Sequence, residues 1–148
     1  MKNVITDISI TENVSLVTLK QIENRHGILA SIFGMLSNVG INVDMISQSY
    51  PAKETVELSF TVSDEQLSQL ISFFTAHKEF KASVFSGNTK ISFFGNEMEN
   101  SPGVAAYIFD IFAKAECDIK MVTTSTRDIS CLIDPEYTSK IIELFNKE

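Results

Sequence analysis

The sequence predicts an α+β fold made of two copies of the ferredoxin-like βαββαβ arrangement. Two observations support this prediction. The chain repeats itself at an offset of 76 residues, and each copy passes from strand-like alternation to helical periodicity and back. Residues 23–49 pair with residues 99–125 without a gap, and eight of these 27 pairs are identical. Two copies of one pattern indicate two modules of one fold.

The first copy contains all six elements of this arrangement. Alternating Val, Leu and Thr residues predict its strands, and apolar residues three and four apart predict its helices. Gly40 stands where a glycine commonly ends a helix. The predicted elements are strands at residues 13–19, 41–46, 56–62 and 80–85, a helix after Gly27, a polar loop at residues 50–54, and a helix capped by Ser63 or Asp64.

The second copy is one strand short. Its predicted elements are strands at residues 90–94, 119–125 and 129–133, a helix at residues 104–115, and a last helix with Asp134 as N-cap and Pro135 as N1.

A spare apolar strand at residues 2–10 precedes the first copy. An open sheet edge beside an apolar helix is a liability, so we expect this strand to cross over and complete the second module. The first module then spans residues 11–87, and the second spans residues 1–10 with 88–148. In the alternative, residues 1–10 are disordered or form an edge segment of the first module.

The composition excludes several classes of function. The 148 residues carry a net charge of −7, which argues against nucleic acid as the main partner because phosphate binding needs clustered Lys and Arg. The apolar runs are far too short to cross a membrane, and the first residues lack the apolar core of a signal peptide. A cytoplasmic protein without a membrane partner is expected.

No residues recur in a pattern typical of a catalytic or metal site. Cys117 and Cys131 lie in apolar, strand-like contexts, which predicts two buried thiols. Four zinc ligands at suitable spacing cannot be assembled, and no nucleophile–base pair or phosphate-binding loop is present. We therefore expect no enzymatic activity, no metal and no cofactor.

The motifs in both copies resemble the ACT domain, a small-molecule-binding regulatory module. In the first copy, Asn24-Arg25-His26-Gly27 stands where the family usually has Asp-Lys-Pro-Gly, and the strand Ile41-Asn42-Val43-Asp44-Met45 follows the helix. Residues 94–106 and 122–125 are similar to the second module of the tandem ACT region of aspartokinases. The resemblance covers roughly residues 3–146 and implies that one module is inserted into the other. No segment resembles the aspartokinase catalytic domain.

The strand-to-helix turns at Gly27 and Gly103 are the candidate sites. A glycine there allows close backbone approach, and a new helix presents free N–H groups that suit a carboxylate. The alternative is a tight turn without a ligand. The candidate binding residues are Asn24, Arg25, His26, Gly27, Ile28, Leu29, Asn42, Val43, Asp44 and Gln48 in the first module, and Ser101, Pro102, Gly103, Val104, Asp118, Ile119, Thr124 and Ser125 in the second.

Asn42 and Asp44 share one face of a strand and place an amide beside a carboxylate, which suits the ammonium of an α-amino acid. The alternative is a solvated strand end. Lys120 takes the position of Asp44 in the second module, so the two sites differ electrostatically. For Thr124, Ser125 and Thr126, interface or cross-strand hydrogen bonds are favoured over direct ligand contacts.

The resemblance implies a non-catalytic regulatory protein that binds a small amino acid, with lysine or threonine as first candidates. The effector is expected at module interfaces, between the turn at residues 24–29 of one module and the strand at residues 41–48 of another. The resemblance also implies a homodimer and a separately encoded biosynthetic enzyme as partner. The alternative is a dimerising scaffold whose ligand sites are degenerate.

Overall fold

The computed structural model describes residues 1–51 and 54–148; Ala52 and Lys53 of the predicted polar loop lie outside the described residues. Two compact units divide the chain. The first unit is Asn13–Ser86, and the second unit joins Met1–Glu12 to Gly87–Glu148. The strands are β1 (Asp7–Glu23), β2 (Ile46–Gln48), β3 (Thr55–Ser63), β4 (Lys81–Phe94), β5 (Met121–Thr124) and β6 (Asp128–Ile133), and the helices are α1 (Ile28–Asn38), α2 (Leu67–Ala76), α3 (Val104–Lys114) and α4 (Thr138–Lys147).

The first unit carries its strands in the order β2-β3-β1-β4, with α1 and α2 packed on one face. Strands β1 and β3 are antiparallel, and their register sets Val17 opposite Phe60 and Leu19 opposite Leu58. Because side chains alternate along a strand, this register brings the apolar residues to one face. All four are fully buried, and Leu70 of α2 closes the same core.

The second unit carries its strands in the order β1-β4-β6-β5 and has its own core. The amino-terminal segment belongs to it: the side chain of Ile5 is buried in this core, and the Thr6 N–H donates to the Phe94 carbonyl at 2.8 Å. The predicted α+β class, with an amino-terminal strand that completes the second module, is confirmed.

Two strands are longer than the sequence indicates. Separate strands were expected at residues 2–10 and 13–19 and at residues 80–85 and 90–94, but β1 joins residues 7–10 to 13–19, and β4 joins residues 81–85 to 90–94. The strand expected at residues 2–10 is wrong at its start, because Lys2–Val4 form a short 3₁₀ helix. A residue with positive φ lies between the expected strands in each case, Asn13 in β1 and Gly87 in β4, and a second one in β1, Gln21, lies at a register shift. Such a residue interrupts the alternation without ending the strand.

The strand predicted at residues 41–46 is wrong in its bounds, because β2 begins only at Ile46. The backbone that precedes β2 still bonds to β3, but one of the hydrogen-bond acceptors is a side chain instead of a backbone carbonyl. The Met45 N–H donates to Thr61 Oγ1 at 2.9 Å, and the Thr61 N–H donates to the Met45 carbonyl at 3.0 Å. A buried hydroxyl thus replaces a backbone acceptor.

Helices α1 and α3 end in the same hydrogen-bond pattern. The Gly40 N–H bonds to Ser37 and the Ile41 N–H to Leu36, which is the Schellman arrangement that the position of Gly40 predicts. In α3, Glu116 takes the equivalent left-handed position with φ 55°. The repeat therefore preserves the backbone of the helix end even where the glycine is lost.

The predicted caps begin short 3₁₀ turns that lead into α2 and α4, whose own N-caps are Gln66 and Tyr137. Ser63 Oγ accepts a bond from the Glu65 N–H at 3.3 Å, and Asp134 with Pro135 begins the turn that leads into α4. Among the described residues, none of the helices has the length and apolar character needed to span a membrane.

Both cysteines are free, buried thiols. Burial raises the pKa of Cys131 to about 12 and that of Cys117 to about 11. Because the thiolate is the reactive form, we expect neither thiol to react with iodoacetamide at pH 8 in the folded protein, and both to react in urea. Rapid labelling of either thiol under native conditions, followed by mass spectrometry, would contradict this burial.

Replacing Gly95 with Ala is expected to destabilise the second unit. A Cβ atom at Gly95 would fall on the backbone carbonyl of Val4 and lie 3.2 Å from Met98 Cγ, so the amino-terminal segment would have to shift. Forcing extra atoms into a packed region costs about 1–3 kcal/mol. The midpoint of urea unfolding should fall accordingly.

Gly34 provides the matched control. A Cβ atom at Gly34 meets nothing within 4 Å, and the residue lies inside α1. Gly34→Ala should stabilise the chain by up to about 1 kcal/mol, because alanine favours the helix. Equal effects of the two substitutions would show that Val4 does not approach Gly95 closely.

Candidate functional site

The turn between β1 and α1 forms one wall of an open cavity of about 370 Å³ in the first unit. Residues 24–30 supply this wall, and Gln48, Pro51 and Val56 complete the lining. Two bonds fix the turn: the Asn24 N–H donates to the Glu54 carbonyl at 2.8 Å, and Asn24 Nδ2 donates to the Pro51 carbonyl at 3.3 Å.

Gly27 makes the turn possible. Its φ of 81° is left-handed, and it is the N-cap of α1 without a side chain to bond the first turn of the helix. In the described part of the chain, no acceptor bonds the N–H groups of Leu29 and Ala30. Helix N-termini favour anions because such donors and the helix dipole point outward.

One charged side chain, the Arg25 guanidinium, belongs to the described lining of this cavity. Arg25 and His26 belong to the lining, and Arg25 Nε lies 3.3 Å from Glu23 Oε2 in a pair whose side chains are 50% and 73% exposed. Exposed pairs of this kind contribute little to stability. The cavity therefore offers donors and positive charge to a ligand.

The cavity brings together seven of the ten candidate residues of the first module, namely Asn24, Arg25, His26, Gly27, Ile28, Leu29 and Gln48. Asn42, Val43 and Asp44 do not line it. The Asn42 N–H bonds to Gln66 Oε1 at 3.0 Å, the Asp44 N–H bonds to the Thr61 carbonyl, and Val43 packs against the core. Their contact with the turn of another module stays a prediction.

A second cavity, of about 280 Å³, occupies the equivalent place in the second unit. Gly103, with φ 94°, is the N-cap of α3, as Gly27 is of α1. The predicted residues that line this cavity are Ser101, Gly103, Val104, Thr124 and Ser125. Pro102, Asp118 and Ile119 are not part of its lining.

The hydroxyl of Ser125 is engaged inside its own turn. It donates to the Asp128 carboxylate and accepts from the Arg127 N–H at 3.2 Å, while the Ser125 N–H bonds to the Asp128 carbonyl. These contacts are local to the turn between β5 and β6, and the preference for interface or cross-strand hydrogen bonds over ligand contacts at this residue stays a prediction. Thr126 lines the cavity as well.

Lys120 is bound within its own unit. Its ammonium donates to Asn88 Oδ1 and to Asp134 Oδ1, both at 2.6 Å. At the equivalent position the first unit has Asp44, which is exposed. The two units therefore carry side chains of opposite charge at this position.

The sequence did not reveal Pro51, Val56 and Ala30 in the first cavity, or Met98 and Ile129 in the second. The pairing of the strands determines which of these residues reach the cavity, and the sequence alone does not show that pairing. Gln48 pairs with Leu58, which brings the start of β3 beside the turn. Within the described residues, no group of three His, Cys, Asp or Glu side chains is arranged to hold a metal ion.

Comparison with known proteins identifies the same architecture elsewhere. A model of the ACT domain family matches residues 14–72 and 91–148. The chain is 35% identical to the aspartokinase of Geobacillus stearothermophilus over 140 residues, which are 95% of this chain and 34% of that protein. The chain thus spans about a third of the length of this curated relative.

Solved structures match over almost the whole chain. The regulatory subunit of aspartate kinase from Thermus flavus is 25% identical with a TM-score of 0.87, and the match covers 97% of both chains. A structure of aspartokinase alpha and beta subunits is 27% identical with a TM-score of 0.83, again over 97% of both chains. The similarity is to the regulatory portion of these enzymes.

Gly27→Ala and Gly103→Ala should each destabilise the chain by about 1 kcal/mol, because both glycines have left-handed backbones that disfavour a Cβ atom. A Cβ atom at either position meets nothing within 4 Å, so no steric clash adds to this cost. Urea unfolding measures the effect. A neutral result at both positions would contradict the left-handed N-cap.

Proposed function

This chain belongs to the ACT domain family, and from that premise we propose that it is a cytoplasmic regulatory protein without catalytic activity that binds a small amino acid. The observation that carries the proposal is the match, over 97% of both chains, to a regulatory subunit of aspartate kinase. We propose lysine or threonine as the first effectors to test, and an aspartokinase or another enzyme of aspartate-family biosynthesis as the regulated partner.

The cavity at the β1–α1 turn supports amino-acid binding. The N–H groups of Leu29 and Ala30 suit the α-carboxylate, and Gln48 contributes an amide to the lining. In the proposed arrangement, Asn42 and Asp44 of another module provide acceptors for the α-ammonium. An α-amino acid would then bridge two modules and stabilise one relative arrangement of them.

Exposed edge strands support a homodimer. Strand β2 is at the edge of the sheet in the first unit, and β5 is at the edge in the second. Ile46 and Val122 occupy equivalent repeat positions on these strands and are 48% and 36% exposed. Edge strands with exposed apolar side chains are suited to pair with another chain.

Effector binding would regulate the partner through thermodynamic linkage between the two binding equilibria. An effector that binds one arrangement of modules better than another shifts the equilibrium, and a coupling of about 1–3 kcal/mol changes the affinity of a partner about 5- to 150-fold. A dimerising scaffold is the second candidate. The internal pairing of Lys120 with Asp134 favours it for the second module, where a cation is already bound.

A thermal-shift screen against the twenty amino acids tests the proposal. A ligand that binds the folded state at about 100 times its Kd adds about 2.7 kcal/mol, so one or a few amino acids should raise the Tm by several degrees. Asp44→Ala and Asn42→Ala should abolish the shift. Asp110→Ala, which removes an exposed carboxylate from α3, serves as the control.

If no amino acid raises the Tm at millimolar concentration, the dimerising scaffold becomes the favoured function. Phosphoryl transfer to aspartate by the purified chain alone would contradict the non-catalytic assignment.

A further inference from the structure

The cavity at the β1–α1 turn differs in charge from its counterpart in the second unit. We infer that it selects its effector by side-chain charge: it accepts an amino acid whose side chain is uncharged or acidic, and it excludes lysine. This inference rests on the proposed function, because it presumes that an amino acid binds at this cavity. Of the two proposed effectors, threonine fits this cavity and lysine does not.

The charged lining is the first reason. Arg25 and His26 both line the cavity, and none of the lining residues that the structure describes has a carboxylate side chain. A cationic side chain would lie close to the Arg25 guanidinium, in a lining without a carboxylate among the described residues. Like charges at close range disfavour binding, and complementary charges favour it.

Glu23, which directly precedes the lining residues in sequence, is already paired. Glu23 Oε2 lies 3.3 Å from Arg25 Nε, and Glu23 does not line the cavity. The ε-ammonium of lysine would share this carboxylate with Arg25, and an exposed pair of this kind contributes little free energy.

The number of ammonium groups is the second reason. In the proposed arrangement Asp44 of another module binds the α-ammonium of the effector. Lysine carries a second ammonium, for which the cavity has no acceptor carboxylate, and a charged group left without a partner lowers affinity. A hydroxyl can bond to Gln48, and a second carboxylate can bond to Arg25, whose guanidinium has five N–H donors.

The second unit shows that this charge is specific to the first cavity. Ser101 and Pro102 stand at the repeat positions of Arg25 and His26, and the lining of the second cavity carries no charged side chain among the described residues. The backbone of the turn is shared, since both N-cap glycines are left-handed. The difference between the two cavities is therefore one of side-chain charge.

Isothermal titration of the full chain with four amino acids tests this inference. L-Lysine and L-norleucine have side chains of similar size that differ by one charge, and L-threonine and L-aspartate sample the uncharged and acidic classes. Threonine, aspartate and norleucine should each bind at least about tenfold more tightly than lysine, the size expected for a charged group without a partner.

The outcomes separate the two proposals. If lysine binds as tightly as norleucine and threonine, the charge selection is wrong while amino-acid binding stands. If none of the four amino acids binds, and the other seventeen of the twenty produce no thermal shift, both proposals fail.

Charge reversal at Arg25 sharpens the test. Arg25→Glu places a carboxylate at the cavity, so the ratio of the lysine Kd to the aspartate Kd should fall at least about tenfold. Arg127→Glu is the matched control, since Arg127 is 52% exposed, pairs with Glu99 at 3.6 Å and does not line either cavity. In the Arg127→Glu variant, the ratio of the lysine Kd to the aspartate Kd should not change.

Both arginines are half exposed, so each variant is expected to fold, and thermal unfolding verifies it. The pair Arg25→Gln and Arg127→Gln replaces them if either reversal lowers the Tm. A ratio that stays constant in the Arg25 variants, or that moves equally in the Arg127 variants, overturns the inference.

Discussion

The second unit depends on its first twelve residues. Without them, β4 would have an open edge, and the core of that unit would lack Ile5. The Thr6–Phe94 hydrogen bond and the close approach of Val4 to Gly95 hold the segment in place. Because a Cβ atom at Gly95 would fall on the Val4 carbonyl, this packing requires glycine. This segment thus supplies the strand that the second copy of the repeat lacks, and it completes that module.

The two units share a backbone and differ in chemistry. Each begins its first helix at a left-handed glycine and ends it with the same hydrogen-bond pattern, even where Glu116 replaces Gly40. The side chains around the glycines have diverged from Arg25 and His26 to Ser101 and Pro102. The geometry that presents helix N–H groups is therefore common to both, while among the described lining residues only those of the first cavity include a charged side chain, Arg25.

Much of the fold was predictable because its signals are local. Alternation, helical spacing and the 76-residue repeat predict the element order, and the missing strand predicts the crossover. The bounds of β2 were not predictable, because Thr61 accepts the Met45 N–H with its side chain, a contact that periodicity does not encode. The continuity of β1 and β4 was also missed, since Asn13 and Gly87 look like strand breaks in sequence.

The site was only partly predictable for a related reason. The turn at residues 24–29 is contiguous in sequence, so its residues meet in any fold that starts a helix after Gly27. Asn42 and Asp44 are expected to meet the turn of another module, which stays a prediction; in their own unit their backbone N–H groups bond to Gln66 and Thr61, and they do not line the cavity. Val56 lies beside the turn because of the register in which the strands pair, and the amino-acid composition does not reveal that register.

The most direct test of the account is amide NMR of the full chain during titration with threonine. If the effector carboxylate binds at the start of α1, the Leu29 and Ala30 amide resonances should shift most, while those of Ala105 and Ala106 at the start of α3 should stay in place. Shifts of equal size at both helices would contradict the charge difference between the cavities. Shifts that spare Leu29 and Ala30 altogether would contradict the site itself.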